Sequence, residues 1–174
     1  MAGFGGQGIV LAGNILGKAA ALYEGLNAVF TQSYGPEARG GSCSADVIIS
    51  TEAIYYPRVA QPKVLVLMSE DAKNTYGPNT AENGSILIDE DLVQLEQPPK
   101  NTRLYKIPST RIAENLGRKI VANIVMLGFI TAVTGIIGYE SMKKAILASI
   151  PPGTEKLNLS AFDEGYNYGN SKYP

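Results

Sequence analysis

The stretch GFGGQG at positions 3–8 constrains the fold most, because so many glycines in a row can form a very tight turn. Gly3, Gly5 and Gly8 match G-x-G-x-x-G, a pattern in which glycines let backbone N–H groups approach a phosphate. Residues 7–24 carry a broad helical stripe of apolar side chains, so the turn leads into a helix. The positive end of the helix dipole faces such a turn, which predicts a strand-to-helix turn that accepts an anion.

Several features weaken the interpretation of this turn as a dinucleotide site. Only Met1 and Ala2 precede it, so the strand before it has two residues at best. The next predicted strand, 26–30, has no carboxylate at its end to bind a ribose, and Glu24 lies before that strand. Gly6 is an additional glycine that loosens the loop. A stand-alone dinucleotide-binding oxidoreductase is therefore an alternative and not the main hypothesis.

Short apolar runs alternate with helical patterns along the chain, and helical patterns dominate from residue 109 onward. The predicted strands are 26–30, 45–50, 54–56, 63–69, 84–90 and 102–108, and the predicted helices are 7–24, a segment from 109 through Ile124, and 139–149. The Tyr-, Asn- and Gly-rich end of the tail that starts at Thr154 is expected to fray. This order predicts an α/β fold: a Rossmann-like, mixed but mostly parallel sheet flanked by helices, with a helical C-terminal region, as a single domain over 1–174.

Residues 120–137 form an uncharged stretch that is long enough to be considered as a transmembrane helix. Asn123, Thr131, Thr134 and two glycines interrupt this stretch, and aromatic belts are missing. A helix buried against the sheet or against a partner subunit is the preferred interpretation.

The charged and reactive residues restrict the function. Lys and Arg number 15 against 16 Asp and Glu, so no overall field attracts nucleic acid or anionic lipid. The chain has one cysteine, Cys43, and no histidine, which excludes an internal disulfide, a zinc or iron–sulfur site and every His-based catalytic arrangement. We therefore expect a cytoplasmic protein with no catalytic residues and no metal ligands, which binds and positions groups while other chains perform the bond chemistry.

A second glycine-rich segment, TQSYGPEARGG at 31–41, follows the second predicted strand. Connections that leave the carboxyl ends of neighbouring parallel strands lie side by side, so this segment is expected beside residues 5–8. The planar guanidinium group of Arg39 is suited to binding phosphate or carboxylate, and Glu37 could hold that group in place. The alternative is a local surface ion pair of Glu37 and Arg39 that contributes little.

Together these motifs resemble the γ subunit of 2-oxoacid:ferredoxin oxidoreductases. The resemblance extends over almost the whole chain, and the Y-G-P-E form of the second segment is more similar to the 2-oxoglutarate branch than to the pyruvate branch. The motifs that carry it are G-x-G-G-Q-G followed by A-G, then Y-G-P-E-A-R-G-G, the strand Asp46 to Ser50, Tyr56-Pro57, KVLVLMS, Asn158, Ala161-Phe162 and Gly165-Tyr166. The short start of the first strand departs from the family pattern.

The resemblance implies a subunit of a complex that oxidatively decarboxylates a 2-oxoacid (2-oxoglutarate, else pyruvate or a branched-chain acid) to its acyl-CoA. In that family thiamine diphosphate sits between the α and β subunits, and iron–sulfur clusters belong to other subunits or to ferredoxin. The expected partners are therefore α and β subunits and a ferredoxin-like subunit or ferredoxin, with a homodimer possible for the isolated chain. A non-enzymatic scaffold that dimerises through its apolar helices is a further alternative.

The resemblance also implies which residues meet coenzyme A or a partner subunit. These are the turn residues Gly5, Gly6, Gln7 and Gly8, and, from the second segment, Tyr34, Glu37, Arg39, Gly40 and Gly41. Cys43 is interpreted as a small residue at the start of a strand, because it has no resolving partner. The tyrosines at positions 34, 55, 56, 166 and 168 are interpreted as core or interface aromatics and not as catalytic acids.

Overall fold

The computed structural model describes residues 1–35 and 41–174. In these residues six strands form one sheet in the order β2-β3-β1-β4-β5-β6. The strands are β1 (Ala2–Phe4), β2 (Asn27–Tyr34), β3 (Ser42–Ser50), β4 (Val64–Leu67), β5 (Ser85–Asp89) and β6 (Arg103–Ile107). The helices are α1 (Ile9–Lys18, continued by a π-helical turn, Ala19–Tyr23), α2 (Glu70–Tyr76), α3 (Ser109–Asn115), α4 (Ala122–Thr134), α5 (Tyr139–Leu147) and α6 (Glu155–Lys172).

The prediction of a mixed, mostly parallel sheet is confirmed. Strands β1, β4, β5 and β6 are mutually parallel, whereas β3 runs antiparallel to both of its neighbours, β1 and β2. The central strands β4 and β5 are apolar runs buried on both faces, as expected for parallel strands covered by helices. Val66, Met68 and Leu87 face α1 and α4, while Leu65, Ile86 and Ile88 face α2.

The first half of the sheet differs from the sequence prediction. Strands β2 and β3 pair as a long antiparallel ribbon from Asn27↔Ser50 to Tyr34↔Cys43. Both strands are therefore longer than predicted, because the polar residues at their ends pair through the backbone although they lack an apolar pattern. The strand predicted at 54–56 is wrong, since these residues lie in an irregular connection between β3 and β4.

The uncharged stretch 120–137 contains α4, and most of its side chains are buried between the sheet and the other helices. This confirms the interpretation as a buried helix. The predicted continuous helix from 109 through Ile124 is interrupted, because Gly117 adopts a positive φ of 89° between α3 and α4. None of the helices among residues 1–35 and 41–174 combines the length and the apolar character that a membrane crossing requires.

The C-terminal tail is a helix of 18 residues, so the expectation of a frayed end is wrong. Helix α6 packs closely on α4 through two glycines. A Cβ atom on Gly128 would overlap the carbonyl oxygen of Phe162, and one on Gly165 would overlap the carbonyl oxygen of Val125. After the helix, the Tyr173 hydroxyl accepts a hydrogen bond from the Lys106 N–H at 2.9 Å, which fixes the end of the tail on the edge strand β6.

Candidate functional site

The glycine-rich turn joins β1 to α1 at the carboxyl edge of the central strands. Gly6 and Gly8 have φ angles of 94° and 72°, which side chains other than glycine rarely adopt. Gly8 is the residue before the helix, and no side chain caps the helix there. The first turn of α1 also has no acidic residue. The local sequence therefore leaves the positive end of this helix available to a negatively charged group.

Gln7 holds the turn together. Its Oε1 accepts a hydrogen bond from the Phe4 N–H at 2.6 Å, and its Nε2 donates to the Met68 carbonyl oxygen at 2.7 Å. A Cβ atom on Gly3 would overlap the Gln7 amide, which explains why a glycine stands at that position of β1. The sequence predicts Gln7 as a contact of coenzyme A or a partner subunit. In the structure, its side chain ties the turn to the end of β4.

Asn123 fixes the other end of the turn, and sequence reasoning gave it no role in the site. This buried residue near the start of α4 donates from Nδ2 to the Gly8 carbonyl oxygen at 3.1 Å. A Cβ atom on Gly8 would overlap the Asn123 amide. The signal in the sequence is a single amide near the start of an otherwise apolar buried helix, because a buried polar group needs a hydrogen-bonding partner.

The two glycine-rich segments meet at one rim, as predicted. The Gly5 N–H donates to the Gly41 carbonyl oxygen at 2.9 Å, and the Gly35 N–H donates to the Ser42 carbonyl oxygen at 2.7 Å. The physical reason differs from the prediction, because the second segment joins two antiparallel strands and β3 brings Gly41 to β1. Tyr34 ends β2 at the same rim and is 63% exposed. Glu37, Arg39 and Gly40 lie outside the described residues.

Two backbone amides of the turn are available to an anionic group within the described part of the chain. The amides of Gly5 and Gln7 are engaged by Gly41 and Phe4. The amides of Gly6 and Gly8 have no hydrogen-bonding partner among residues 1–35 and 41–174. A Cβ atom on Gly6 would meet no atom of residues 1–35 and 41–174 within 4 Å, so the described part of the chain leaves this side of the turn open. Gly6 and the first turn of α1 thus form the part of the site that fits a phosphate or carboxylate.

Comparison with known proteins identifies the family and the fold. Residues 1–168 match the family described as pyruvate ferredoxin/flavodoxin oxidoreductase. The chain belongs to this oxidoreductase family. It is 55% identical over 168 residues to the 2-oxoglutarate synthase subunit KorC of Methanocaldococcus jannaschii, a match that covers 95% of this chain and 90% of the relative.

Solved structures of the family agree with this assignment. The keto/oxoacid ferredoxin oxidoreductase γ subunit from Geobacter sulfurreducens has a TM-score of 0.86 and 39% identity, over 98% of this chain and 96% of that one. The 2-oxoglutarate:ferredoxin oxidoreductase from Magnetococcus marinus shares the fold, with a TM-score of 0.86 and 22% identity over 98% of this chain and 30% of that one. The chain is thus a γ subunit of a 2-oxoacid:ferredoxin oxidoreductase, most like the 2-oxoglutarate branch.

The donor atoms of this γ subunit do not fit the iron–sulfur clusters of the family. A cluster needs several thiolates, and the chain has the single Cys43. No group of three His, Cys, Asp or Glu side chains that could hold a metal ion occurs in the part of the chain that the structure describes. Cys43 is the second residue of β3 and is 5% exposed, and its burial raises the pKa of the thiol. This position matches the interpretation of Cys43 as a small residue at a strand start.

The five tyrosines singled out in the sequence fall into two groups. Tyr166 and Tyr168 are half-buried on α6, where Tyr166 packs against Phe162 and Tyr168 against Phe129. Tyr55 and Tyr56 are 93% and 67% exposed, and Tyr34 is exposed as well. The interpretation as core residues is therefore wrong for these three. A role of Tyr34, Tyr55 and Tyr56 at an interface stays a prediction.

Proposed function

We propose that this γ subunit serves a 2-oxoglutarate:ferredoxin oxidoreductase in the cytoplasm, and that its glycine-rich rim contacts coenzyme A or the neighbouring subunit that binds it. The observation that carries the proposal is the hydrogen bond between Gly5 and Gly41, which unites the two glycine-rich segments into one surface. The name of the relative from Methanocaldococcus jannaschii supports 2-oxoglutarate as the substrate of the complex.

The reaction of such a complex converts a 2-oxoacid and coenzyme A to acyl-CoA and carbon dioxide, and two electrons pass to ferredoxin. Thiamine diphosphate and iron–sulfur clusters supply carbanion and electron-transfer chemistry in this family, and α, β and ferredoxin-like partners would hold them. The γ subunit contributes binding. Its open Gly6 amide and the start of α1 attract a phosphate group, while Gln7 and Asn123 keep the turn rigid.

In this proposal, the positive charge at the site comes from Arg39 of the second glycine-rich segment, because the turn at residues 3–8 contains no Lys or Arg. Arg39 stands between Tyr34 and Gly41 in the sequence, and the chain returns to β1 at Gly41. An arginine side chain spans several ångströms and binds phosphate through two parallel N–H groups. We therefore assign Arg39 to the phosphates of coenzyme A or to a carboxylate of the partner, with Glu37 as its positioning residue.

The test is co-expression of the γ subunit with its α, β and ferredoxin-like partners, followed by 2-oxoglutarate-dependent reduction of ferredoxin at varied coenzyme A. For Arg39→Gln we expect the KM for coenzyme A to rise roughly tenfold with kcat nearly unchanged, because a ground-state contact is lost. Arg111→Gln is the matched control, since Arg111, near the start of α3, pairs with Glu90 and Asp91, which directly follow β5.

Loss of assembly with an unchanged coenzyme A dependence in the remaining complex would assign Arg39 to the partner subunit, as in a scaffold, and would contradict its contact with coenzyme A. Two other outcomes would contradict the proposal as a whole. Turnover by the isolated γ subunit, or tight binding of NAD, NADP or a flavin in a thermal-shift titration, would support a stand-alone oxidoreductase.

A further inference from the structure

The two edges of the sheet differ in how they are protected. The edge strand β6 carries Arg103 and Lys106, and the end of the chain covers it, since the Lys106 N–H donates to the Tyr173 hydroxyl at 2.9 Å. Proteins commonly protect an exposed strand edge with charges, prolines or a covering segment. The edge strand β2 has the sequence NAVFTQSY, without a charge or a proline. No strand pairs with its outer edge in residues 1–35 and 41–174.

Alternate residues of β2 direct their backbone groups to this open edge. The Gly35 N–H donates to the carbonyl oxygen of Ser42, which lies opposite it, at 2.7 Å. Hydrogen bonding in an antiparallel pair alternates along each strand, so the odd-numbered residues of β2 bond to β3. The even-numbered residues, whose N–H and carbonyl groups therefore point away from β3, are Ala28, Phe30, Gln32 and Tyr34.

The open edge is complementary to itself. If a second copy adds its β2 antiparallel about a two-fold axis at Thr31, Phe30 lies opposite Gln32 of the second copy. In the same register Ala28 lies opposite Tyr34 of the second copy. Each of these pairs exchanges two backbone hydrogen bonds, so every outward-pointing residue of β2 gains a partner. A register shifted by two residues leaves Ala28 or Tyr34 opposite a residue outside β2.

This register also brings an exposed aromatic ring to an apolar groove. Even-numbered residues of β2 face α1, because a Cβ atom on Gly17 would meet the Phe30 Cβ atom at 3.8 Å. Tyr34 is 63% exposed. A groove of about 230 Å³ lies beside Ala28, between β2 and the exposed Leu22 of the π-helical turn. Opposite residues share a face, so the Tyr34 ring of each copy would lie at the groove of the other.

The size and charge of this surface fit a dimer. The eight residues of β2 extend over ~27 Å, and the sheet with the helix layer on it is about 20 Å thick. The surface is therefore about 550 Å² in each copy, or roughly 1,100 Å² in total, which meets the ~1,000 Å² expected of a specific interface. Because β2 is uncharged, pairing with a second β2 brings no like charges of the two strands together.

We propose that β2 is a dimerisation edge, at which a second copy of this chain adds its own β2 antiparallel. The pairing joins the two six-stranded sheets into one, and each Tyr34 ring fills the groove beside Ala28 of the other copy. The proposal does not depend on the proposed function, in which Gly6 and Arg39 provide the contact with coenzyme A.

The first test is disulfide cross-linking of the full chain through cysteines introduced on β2. Thr31→Cys lies opposite its own copy, at a Cα separation of about 4.5 Å that suits a disulfide. Ser33→Cys is the matched control, because Ser33 shares the face of Thr31 and is more exposed, but its two copies lie about 14 Å apart. We expect at least about tenfold more cross-linked dimer from Thr31→Cys under mild oxidation. A mixture of Val29→Cys and Ser33→Cys should also cross-link, since these residues lie opposite each other. The buried Cys43 is present in every variant.

The second test is the dimer Kd, measured by analytical ultracentrifugation. Tyr34→Ala should raise the Kd at least about tenfold, because the ring no longer fills the groove. Tyr55→Ala is the control and should leave the Kd unchanged, since Tyr55 is 93% exposed and lies outside β2.

The proposal is overturned if the chain is monomeric at about 0.1 mM, or if the two tyrosine variants have the same Kd. It is also overturned if Ser33→Cys cross-links as readily as Thr31→Cys. Protection of the β2 amides from hydrogen exchange only in the complex with α and β subunits would overturn it too, and would assign this edge to one of those subunits.

Discussion

The side-chain amide of Gln7 donates a hydrogen bond to the main-chain carbonyl of Met68 at 2.7 Å and so joins the glycine-rich turn to the end of β4. The same amide accepts the N–H of Phe4 from the end of β1. Both polar atoms of Gln7 are therefore used within the protein. Contacts of Gly6 and Gln7 with coenzyme A or a partner subunit stay predictions.

Replacement of Gln7 should lower stability. For Gln7→Ala we expect the free energy of unfolding to fall by about 1–3 kcal/mol, because the Phe4 N–H and the Met68 carbonyl lose their partners. Urea denaturation followed by circular dichroism measures the change. Gln97→Ala is the control, since Gln97 is an exposed residue of the connection before β6 and should change stability by less than about 0.5 kcal/mol. Equal stability of the two variants would show that the Gln7 bonds are replaced by water.

Gly8 should be far less tolerant of a side chain than Gly6, although both have positive φ angles. For Gly6→Ala we expect a loss of about 1–2 kcal/mol from the left-handed backbone alone. Gly8→Ala adds the overlap with the Asn123 amide, so its loss should exceed that of Gly6→Ala by about 1–3 kcal/mol. Urea denaturation of both variants gives the two losses.

A double-mutant cycle identifies the source of that difference. Asn123→Ala removes the overlapping amide, so Gly8→Ala should cost less in this background, where only the backbone strain is left. If Gly8→Ala costs the same in both backgrounds, the contact with Asn123 is not responsible.

The sequence was sufficient to predict the central strands and the turn, because their signals are local. Strands β4 and β5 are short apolar runs bounded by polar residues, β6 carries Leu104, Tyr105 and Ile107, and α1 follows the glycines with a clear helical period. The roles of Gln7 and Asn123 could not be predicted in the same way. Their hydrogen bonds connect residues 61 and 115 positions apart, which no local pattern encodes.

The same reasoning explains why the sequence pattern does not predict the C-terminal part of α6. Residues 163–173 are rich in Gly, Asn and Tyr, which have low helix propensity, so the local signal favours a frayed end. The helix forms because Gly165 lets its backbone approach α4, and burial of Phe162 and Ala161 then stabilises it. Tertiary packing overrides the propensity in this segment.

Gly165 should therefore be essential for the packing of α6 on α4. Gly165→Ala places a Cβ atom on the Val125 carbonyl, and we expect a loss of about 1–3 kcal/mol in spite of the better helix propensity of alanine. Thermal unfolding measures the loss. Gly77→Ala is the control, because its Cβ would meet only the Lys73 Cγ at 3.9 Å and its φ is −51°. A stability gain in both variants would contradict the close approach of the two helices.

Cys43 should be unreactive in the folded protein. Burial raises the pKa of its thiol, so little thiolate is present near neutral pH, and the side chain is 5% exposed. We expect reaction with a disulfide reagent such as Ellman's reagent to be slower by at least about a hundredfold than in guanidinium chloride, where one equivalent reacts. Rapid reaction of the native protein would place the start of β3 at an accessible surface.

Glu24 should make the stability of α5 depend on pH. The Ser141 side chain and the Gly138 N–H, which donates to the Glu24 carboxylate at 2.9 Å, together lower the pKa of this carboxyl group below the ordinary value of 4.5. A carboxyl group whose pKa is lower in the folded state stabilises the fold above its unfolded pKa, and this contribution is lost as the pH falls from 4.5 through the folded value. Glu24→Gln should therefore be less stable than the parent protein at about pH 6, and the difference between the two should become smaller as the pH falls below 4.5. Urea midpoints at a series of pH values measure this convergence, with Glu96→Gln as the control, because Glu96 is an exposed residue of the connection between β5 and β6. A difference between Glu24→Gln and the parent that stays constant from pH 6 to pH 3 would show that the charge of Glu24 does not contribute to the start of α5.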